Sequence, residues 1–320
     1  MLPADTVADE PGAIAALATL PIFFKLAGRK AVLAGDTAGI AWKCELIAAA
    51  GAEVTLFSPE PCDEVRALAR RGVAAGSLKI EEREWTAQDL RGAALAVADL
   101  ETASEAAAFK AAGAQAGAVV NTVDKAATCD FFFGAVVNRS PLVIGISTDG
   151  AAPILGQAVR RAIELVAPDW LGPWLSFAQS LRPRVKRHLA QGAQRRAFWE
   201  AFTERAMSGP LDDEGEAATR RDIETQAQTP ERAGSVLRLV GPAHVDALTL
   251  GEVKRLQAAE LLIEERGAHR AARAFLRREA TRLLVGRADV AGEIAPHDVE
   301  PTIARWVEAG RRVIVLKAAD

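Results

Sequence analysis

The sequence predicts an α/β protein with a parallel sheet at its start and a second, partial α/β unit at its end. Three observations carry that prediction. Residues 21 to about 125 alternate short apolar runs with stretches of helical spacing. Strands separated by helices of that length form parallel sheets covered on both faces. The section that follows, to about residue 207, opens with one strand-like run and continues mainly as helix. From Ser235 the alternation of apolar runs and helical stretches returns.

Each element follows from its local pattern. Lys30–Ala34 reads as the first strand. Ile40, Cys44, Ile47 and Ala48 then share one helical face, and Gly51 is a natural helix stop. Glu53–Phe57 is the second strand, Val65–Arg71 a helix, Ser77–Ile80 the third strand and Ala93–Ala98 the fourth. Thr102–Ala112 is an alanine-rich helix leading to a fifth strand at Ala118–Val123. Leu142–Ser147 reads as a strand, Gly150 as a turn, and about Ala152 to Val166 as a helix. Trp170, Trp174 and Trp199 are apolar anchors for the helices beyond. Ser208–Ser235 is polar and poor in apolar residues, which reads as a linker. After it, "VLRLV", "AELLIEE", "TRLLVGR" and "RRVIVLKAAD" read as strands with helices between them. The expected organisation is a Rossmann-like domain over 1–125, a small α+β and helical segment over 126–207, a linker over 208–234 and a partial α/β unit over 235–320.

Composition narrows the function classes. A chain of 320 residues, 50% hydrophobic and 25% charged, can bury a sizeable core. Its net charge of −3 argues against bulk attraction to nucleic acid or an anionic membrane. No apolar run reaches the length of a membrane span, and the acidic start "MLPADTVADEPG" lacks a signal-peptide pattern. Cys44, Cys62 and Cys129 are too few and scattered for a disulfide framework or a zinc site, and they fit a reducing cytoplasm. The histidines are His188, His244, His269 and His297. Proton transfer before residue 188 therefore falls to a carboxylate, a lysine, a thiol or water.

The first strand ends in Gly35-Asp36-Thr37-Ala38-Gly39. Such a turn binds pyrophosphate when backbone N–H groups and the positive end of the helix dipole face the anion. Gly35 stands where the turn needs its first glycine, and Thr37 where the second is normally found. The branched Thr37 narrows the space, although its hydroxyl could donate to a phosphate, and Asp36 adds negative charge. After the second strand, Ser58 is not the acidic ribose contact of a dinucleotide site. Glu60, beside Pro59, is the nearest substitute. The residues alone leave two readings open, an ordinary βα turn or a dinucleotide cradle.

Four stretches stand in one order: "LPIFFKLAGRKAVLAG" at 20–35, "WKCELIAAAGAEVTLFSPE" at 42–60, "VVNTVDKAATCDFFFGAVVNRSPLVIGISTDGAAPILGQAVRR" at 119–161 and "LGPW" at 171–174. Together they resemble the precorrin-2 dehydrogenase/ferrochelatase module of siroheme synthases, over about residues 20–205. The resemblance implies an NAD-binding first domain and a homodimer built by the segment after it. It implies that Asp124, the aspartate of N-x-V-D, is required for the chemistry; many members carry a second acidic residue next, where this chain has Lys125. The family's glycine triplet falls on 35, 36 and 37, so only Gly35 is retained. Gly35, Asp36, Thr37, Ala38, Gly39, Pro59 and Glu60 are the positions implied against the cofactor. The implied substrates are precorrin-2 and sirohydrochlorin. Iron, as Fe²⁺, is read as a substrate, since no residue cluster has metal-ligand spacing.

Residue chemistry points the same way. Oxidation of precorrin-2 delivers a hydride to NAD⁺ and a proton to a base, and a carboxylate at a strand end suits the second task. Asp124 follows an apolar run, at the edge where a parallel sheet holds ligands. A helix-capping role is the other reading of the same residue. Metal insertion requires pyrrole nitrogens to lose protons, where the same carboxylate would assist. Ser147 and Thr148 are either polar contacts near the site or the end of a strand. The basic segment "LRPRVKRHLAQGAQRRAFW", with Arg182, Arg184, Lys186, Arg187, Arg195 and Arg196, reads first as a solvated helix face; attraction of a carboxylate-rich substrate is the alternative.

The last unit resembles the start of uroporphyrinogen-III C-methyltransferase. "GPAHVDALTL" at 241–250 stands where that family has a loop like GPGDP-x-LLTL, and "RRVIVLKAAD" where it has a strand ending LKGGD. Pro242 and Asp320 match; Ala243, His244, Ala318 and Ala319 replace residues of the loops, Glu265 a carboxylate and Arg287 a basic residue. The expectation is no methyltransferase activity in this sequence. The expected function is a cytoplasmic siroheme-forming enzyme, with no nucleic-acid or membrane partner. The rivals are a chelatase without dehydrogenase activity and a non-catalytic tetrapyrrole-binding protein.

Overall fold

The computed structural model describes residues 16–228, 234–240, 247–268, 270–277 and 279–318. Pro242, Ala243 and His244 of the GPAHVDALTL stretch, together with His269, Ala319 and Asp320, lie outside the described residues. The chain divides into two compact units.

The first unit, residues 18–137 and 144–165, is built on a five-stranded sheet of order β3-β2-β1-β4-β5. Its strands are β1 (Lys30–Ala34), β2 (Glu53–Phe57), β3 (Ser77–Glu81), β4 (Leu95–Ala98) and β5 (Val119–Thr122), all parallel. Ala34 registers with Phe57 on one side and Ala98 on the other, and Ala98 with Thr122, so the carboxyl ends finish level. The inner strands β1 and β4 are nearly continuous apolar runs because both their faces are covered. Ala31 and Leu33 of β1 meet Ile40, Cys44 and Ile47 of α1 (Ala38–Ala49) on one face. Val32 and Ala34 meet Phe109 of α3 (Ala103–Ala116) on the other. Helix α2 (Asp63–Arg71) joins β2 to β3 and buries Val65 and Leu68. Thr102 and Glu105 close α3 with a capping box, and Gly117 ends it in the left-handed conformation. The predicted strands and helices of this region are therefore present, with boundaries shifted by a few residues.

A two-stranded hairpin follows, β6 (Ala135–Arg139) and β7 (Leu142–Ile146), turning through a cis Ser140–Pro141 bond. Only β7 is legible in the sequence reading. Gly134 admits the close approach of the two strands, since a Cβ there would stand 2.2 Å from the Ile146 carbonyl oxygen. Helix α4 (Pro153–Val166) then carries an unusual face. Gly156 is its buried residue, while Ile154 and Leu165 are 83% and 85% exposed and Leu155, Val159 and Val166 are exposed as well.

The second unit, residues 138–143 and 166 onward, combines helices with a second parallel sheet. Helices α5 (Leu171–His188) and α6 (Ala193–Ser208) pack through Trp174, Phe177, Phe198 and Phe202, with Trp174 and Phe202 edge-on at 5.2 Å. The expected linker is corrected here: most of it is helix α7 (Asp213–Gln228). Its polar composition hides a narrow stripe. Thr219 and Ile223, four apart, are buried, Arg205 bonds Thr219 and pairs with Asp222 at 2.9 Å, and the Asp212 carboxylate accepts the Gly215 N–H at 2.7 Å. Acidic residues in the first turn suit the helix dipole.

The second sheet has the order β11-β10-β9-β12-β8, from β8 (Ser235–Val240), β9 (Leu261–Glu264), β10 (Thr281–Val285), β11 (Glu293–Ile294) and β12 (Arg312–Lys317). All its pairings are parallel. Helices α8 (Leu250–Ala258) and α9 (Val299–Glu308) belong to this unit, and the short β11 is an element the sequence reading lacks.

Candidate functional site

The carboxyl edge of the first sheet gathers most of the expected site residues. Strand order reverses between β1 and β4, whose following helices α1 and α3 cover opposite faces of the sheet, and this is where open α/β sheets bind ligands. Gly35 leaves β1 at φ +131, and its N–H donates to the Phe57 carbonyl at 3.1 Å. A Cβ on Gly35 would stand 2.7 Å from the Asp99 carbonyl oxygen, so backbone conformation and space both demand glycine. Asp36, Thr37, Ala38 and Gly39 are exposed above it. Thr37 is the N-cap of α1, accepting the Ile40 N–H at 3.2 Å.

The turn fits a dinucleotide in its backbone. Ala38 and Gly39 are small, their amides open a helix whose first turn carries no acidic residue, and the helix dipole adds positive potential there. The side-chain expectation for Thr37 is corrected: its hydroxyl proton goes to the Asp99 carboxylate, 2.5 Å away, and not toward a phosphate. Pro59 and Glu60 stand exposed just past β2. Ser58 beside them is buried, with a hydroxyl that finds no partner among the described residues.

Asp124 sits on a turn past β5, in the same sheet. The Lys125 N–H closes that turn on the Thr122 carbonyl at 3.2 Å, and Asp124 takes φ +56, a left-handed conformation that aspartate tolerates better than most residues. Several contacts hold the turn. The Cys129 Sγ accepts the Thr122 N–H at 3.3 Å and the Asn121 amide at 3.4 Å. The Lys125 Nζ reaches the Leu100 carbonyl at 2.5 Å, just past β4. Asp130 accepts the Val120 N–H at 2.9 Å, and Lys110 beside it holds its carboxyl below the usual carboxylate range. The Asp124 side chain itself is exposed and makes no hydrogen bond or ion pair within the described residues. The capping reading of Asp124 fails: the short 3₁₀ turn Ala126–Thr128 has Lys125 at its N-cap position. With strands about 4.8 Å apart, β5 lies roughly 10 Å from β1 across the edge.

Sequence reasoning missed Asp99. The signal was present in a carboxylate directly after the fourth apolar run, but only sheet order shows that this run neighbours the first. Cys129 was equally invisible as a turn-holder, because the Thr122 N–H and the Asn121 side-chain amide meet its sulfur only once the turn has formed.

Other candidate residues resolve into structure. Ser147 Oγ accepts the Asp149 N–H at 3.2 Å, which makes it a strand-end cap. In the basic segment, Arg184 pairs with Glu224, Arg195 bonds the Leu189 and Lys186 carbonyls, and Arg196 pairs with the buried Glu260. Half of that segment's charge is thus spent inside the unit. In the last unit Glu265 accepts the Ala318 N–H at 3.1 Å, and Arg287 forms a two-pronged pair with Asp289. Among the described residues no helix is long and apolar enough to cross a membrane.

Two family models match the chain, "Putative NAD(P)-binding" over residues 22–135 and "Sirohaem synthase dimerisation region" over residues 170–226. Curated relatives extend the likeness over both units. The siroheme synthase of Ectopseudomonas mendocina is 31% identical over 304 residues, covering 94% of this chain and 64% of its own length. That of Methylococcus capsulatus is 30% identical over 311 residues, covering 94% and 64%. That of Nitrosospira multiformis is 28% identical over 306 residues, covering 94% and 65%. The chain therefore spans just under two thirds of the siroheme synthases it matches. A solved structure titled SirC, precorrin-2 dehydrogenase overlaps at a TM-score of 0.47 and 17% identity, covering 66% of this chain and 99% of that one.

Proposed function

We propose that this homologue of siroheme synthases oxidises precorrin-2 to sirohydrochlorin with NAD⁺ and inserts Fe²⁺ into the product. The observation that carries the reading is Asp124, an exposed carboxylate with no partner among the described residues, on the sheet edge that also bears the Gly35 turn. A carboxylate kept clear of arginines and helix caps retains its lone pairs for a substrate proton. Gly35, Ala38 and Gly39 would hold the pyrophosphate on the opening amides of α1, with Asp36 and Thr37 at the rim and Pro59 and Glu60 toward the ribose. Bound there, NAD⁺ supplies the hydride acceptor. Asp124 takes the accompanying proton, and in metal insertion it takes protons from pyrrole nitrogens while Fe²⁺ enters as substrate.

The expected division into a cofactor domain over 1–125 and a dimer-forming segment over 126–207 belongs to this reading. The dimer has a physical motive. Ile154, Leu155, Val159, Leu165 and Val166 form an exposed apolar face on α4, and a second copy of the chain is the partner that would cover it. The cysteines are free thiols, which suits the cytoplasm.

Asp99 favours one rival. A carboxylate bonded into the phosphate turn is what a chelatase without dehydrogenase activity would tolerate. Freshly generated precorrin-2, followed spectrally with and without NAD⁺, separates the two. The expected result is conversion to sirohydrochlorin only with NAD⁺. Metal insertion into supplied sirohydrochlorin with no NAD⁺-dependent conversion would establish the rival.

A further inference from the structure

One contact at the turn is not explained by cofactor binding. Thr37 spends its only hydroxyl proton on the Asp99 Oδ2 at 2.5 Å while accepting the Ile40 N–H. Asp99 is also fixed through its backbone. Its N–H donates to the Ala34 carbonyl at 2.9 Å, and its own carbonyl closes on Gly35. The carboxylate oxygen lies 3.8 Å from the point where a Cβ on Gly39 would stand, beside the amides that open α1. Two lysines are near. Lys43 Nζ turns to the Gly39 carbonyl at 3.5 Å and Lys125 Nζ to the Leu100 carbonyl, and neither pairs with Asp99.

We propose that Asp99 is an internal competitor for the cofactor's phosphate, held by Thr37 at the mouth of the turn, and that this pair sets how tightly the dinucleotide binds. The proposal rests on reading the turn as a dinucleotide cradle. A helix N-terminus attracts one negative charge readily. A carboxylate already stationed there interacts favourably with the dipole in the empty state, and it repels an arriving pyrophosphate. The cofactor has either to displace Asp99 from Thr37 or to bind beside a like charge. Affinity falls in both cases. The cost is useful to an enzyme that must release reduced cofactor after each turnover, because weaker binding shows mainly as faster release.

The test is titration calorimetry of NAD⁺ on the full chain, for the wild type, Asp99→Asn, Thr37→Gly and Asp36→Asn, with melting curves confirming that each variant is folded. Asp99→Asn keeps the shape and removes the charge, and the expected result is binding about tenfold tighter. Thr37→Gly frees the carboxylate to swing away and restores room at the turn, so it tightens binding by a smaller factor. Asp36→Asn, which removes an exposed charge of the turn that lies outside the Thr37–Asp99 pair, shifts affinity less than either. Wild-type binding that Asp99→Asn and Thr37→Gly leave unchanged or weaken would overturn the competitor and leave the cradle standing. If neither the wild type nor any variant binds NAD⁺, the cradle reading falls and the competitor with it.

Discussion

The chain carries two five-stranded parallel sheets, and their carboxyl edges are finished differently. At the first, Gly35 bends into the opening amides of α1, and Asp124 stands exposed without a partner among the described residues. At the second, the acidic groups among the described residues are satisfied by neighbours. Glu264, buried at the end of β9, takes two bonds from Arg273; Glu265 accepts the Ala318 N–H; Glu293 pairs with Arg266 and accepts the Arg287 N–H. Unspent polar groups are what a ligand can use. The contrast teaches that a sheet edge advertises function by the groups it leaves unpaired, and that parallel topology alone does not.

The contrast can be broken from either side. The largest expected effect is structural. Arg273→Ala would leave Glu264, 4% exposed, without its counter-ion, costing about 3 kcal/mol or more, read as an early melting transition. NAD⁺ affinity should not change, because Arg273 and Glu264 belong to the second unit and the Gly35 turn to the first. Next is the α4 face: Ile154→Asp with Leu165→Asp should shift the proposed dimer to monomer in sedimentation, weakening association at least about a hundredfold. A smaller loss comes from Gly35→Ala, which forces a side chain into φ +131 and against the Asp99 carbonyl, costing about 1–3 kcal/mol. It should appear as weakened NAD⁺ binding with a modest drop in melting temperature. The smallest effect is chemical. Burial, with Cys62 adding to it, pushes the Cys44 thiol up to about 12, so it stays a neutral thiol through the physiological range. Iodoacetamide on the native protein at pH 8 should leave Cys44 unmodified and label Cys62 first.

The same contrast explains how much could be read from the sequence. The first sheet was legible because its inner strands β1 and β4 are buried apolar runs punctuated by glycine turns, as at Gly35 and Gly117. The strand β6 escaped because "AVVNR" carries too few apolar residues, and its pairing depends on Gly134 and a turn two residues long. Helix α7 escaped because one isoleucine and one threonine hold it, and a stripe that thin does not stand out from a polar background. Of the candidate site, the residues contiguous in the chain, Gly35 to Gly39, were readable as a turn. Asp99 was not, since it stands 62 positions after Thr37 and the bond between them exists only once β4 lies beside β1. The resemblance pointed to Asp124, and the geometry adds the reason it is available: its neighbours hold the turn and leave its carboxylate alone.

One measurement tests the account most directly. Asp124→Asn is compared with the wild type for NAD⁺ affinity and for the rate of precorrin-2 conversion. The account predicts that NAD⁺ binds equally well to both and that conversion falls by about a hundredfold or more, the scale of a lost general base. Conversion at the wild-type rate by a variant that still binds NAD⁺ would contradict it, and would move the chemistry away from the carboxyl edge of β5.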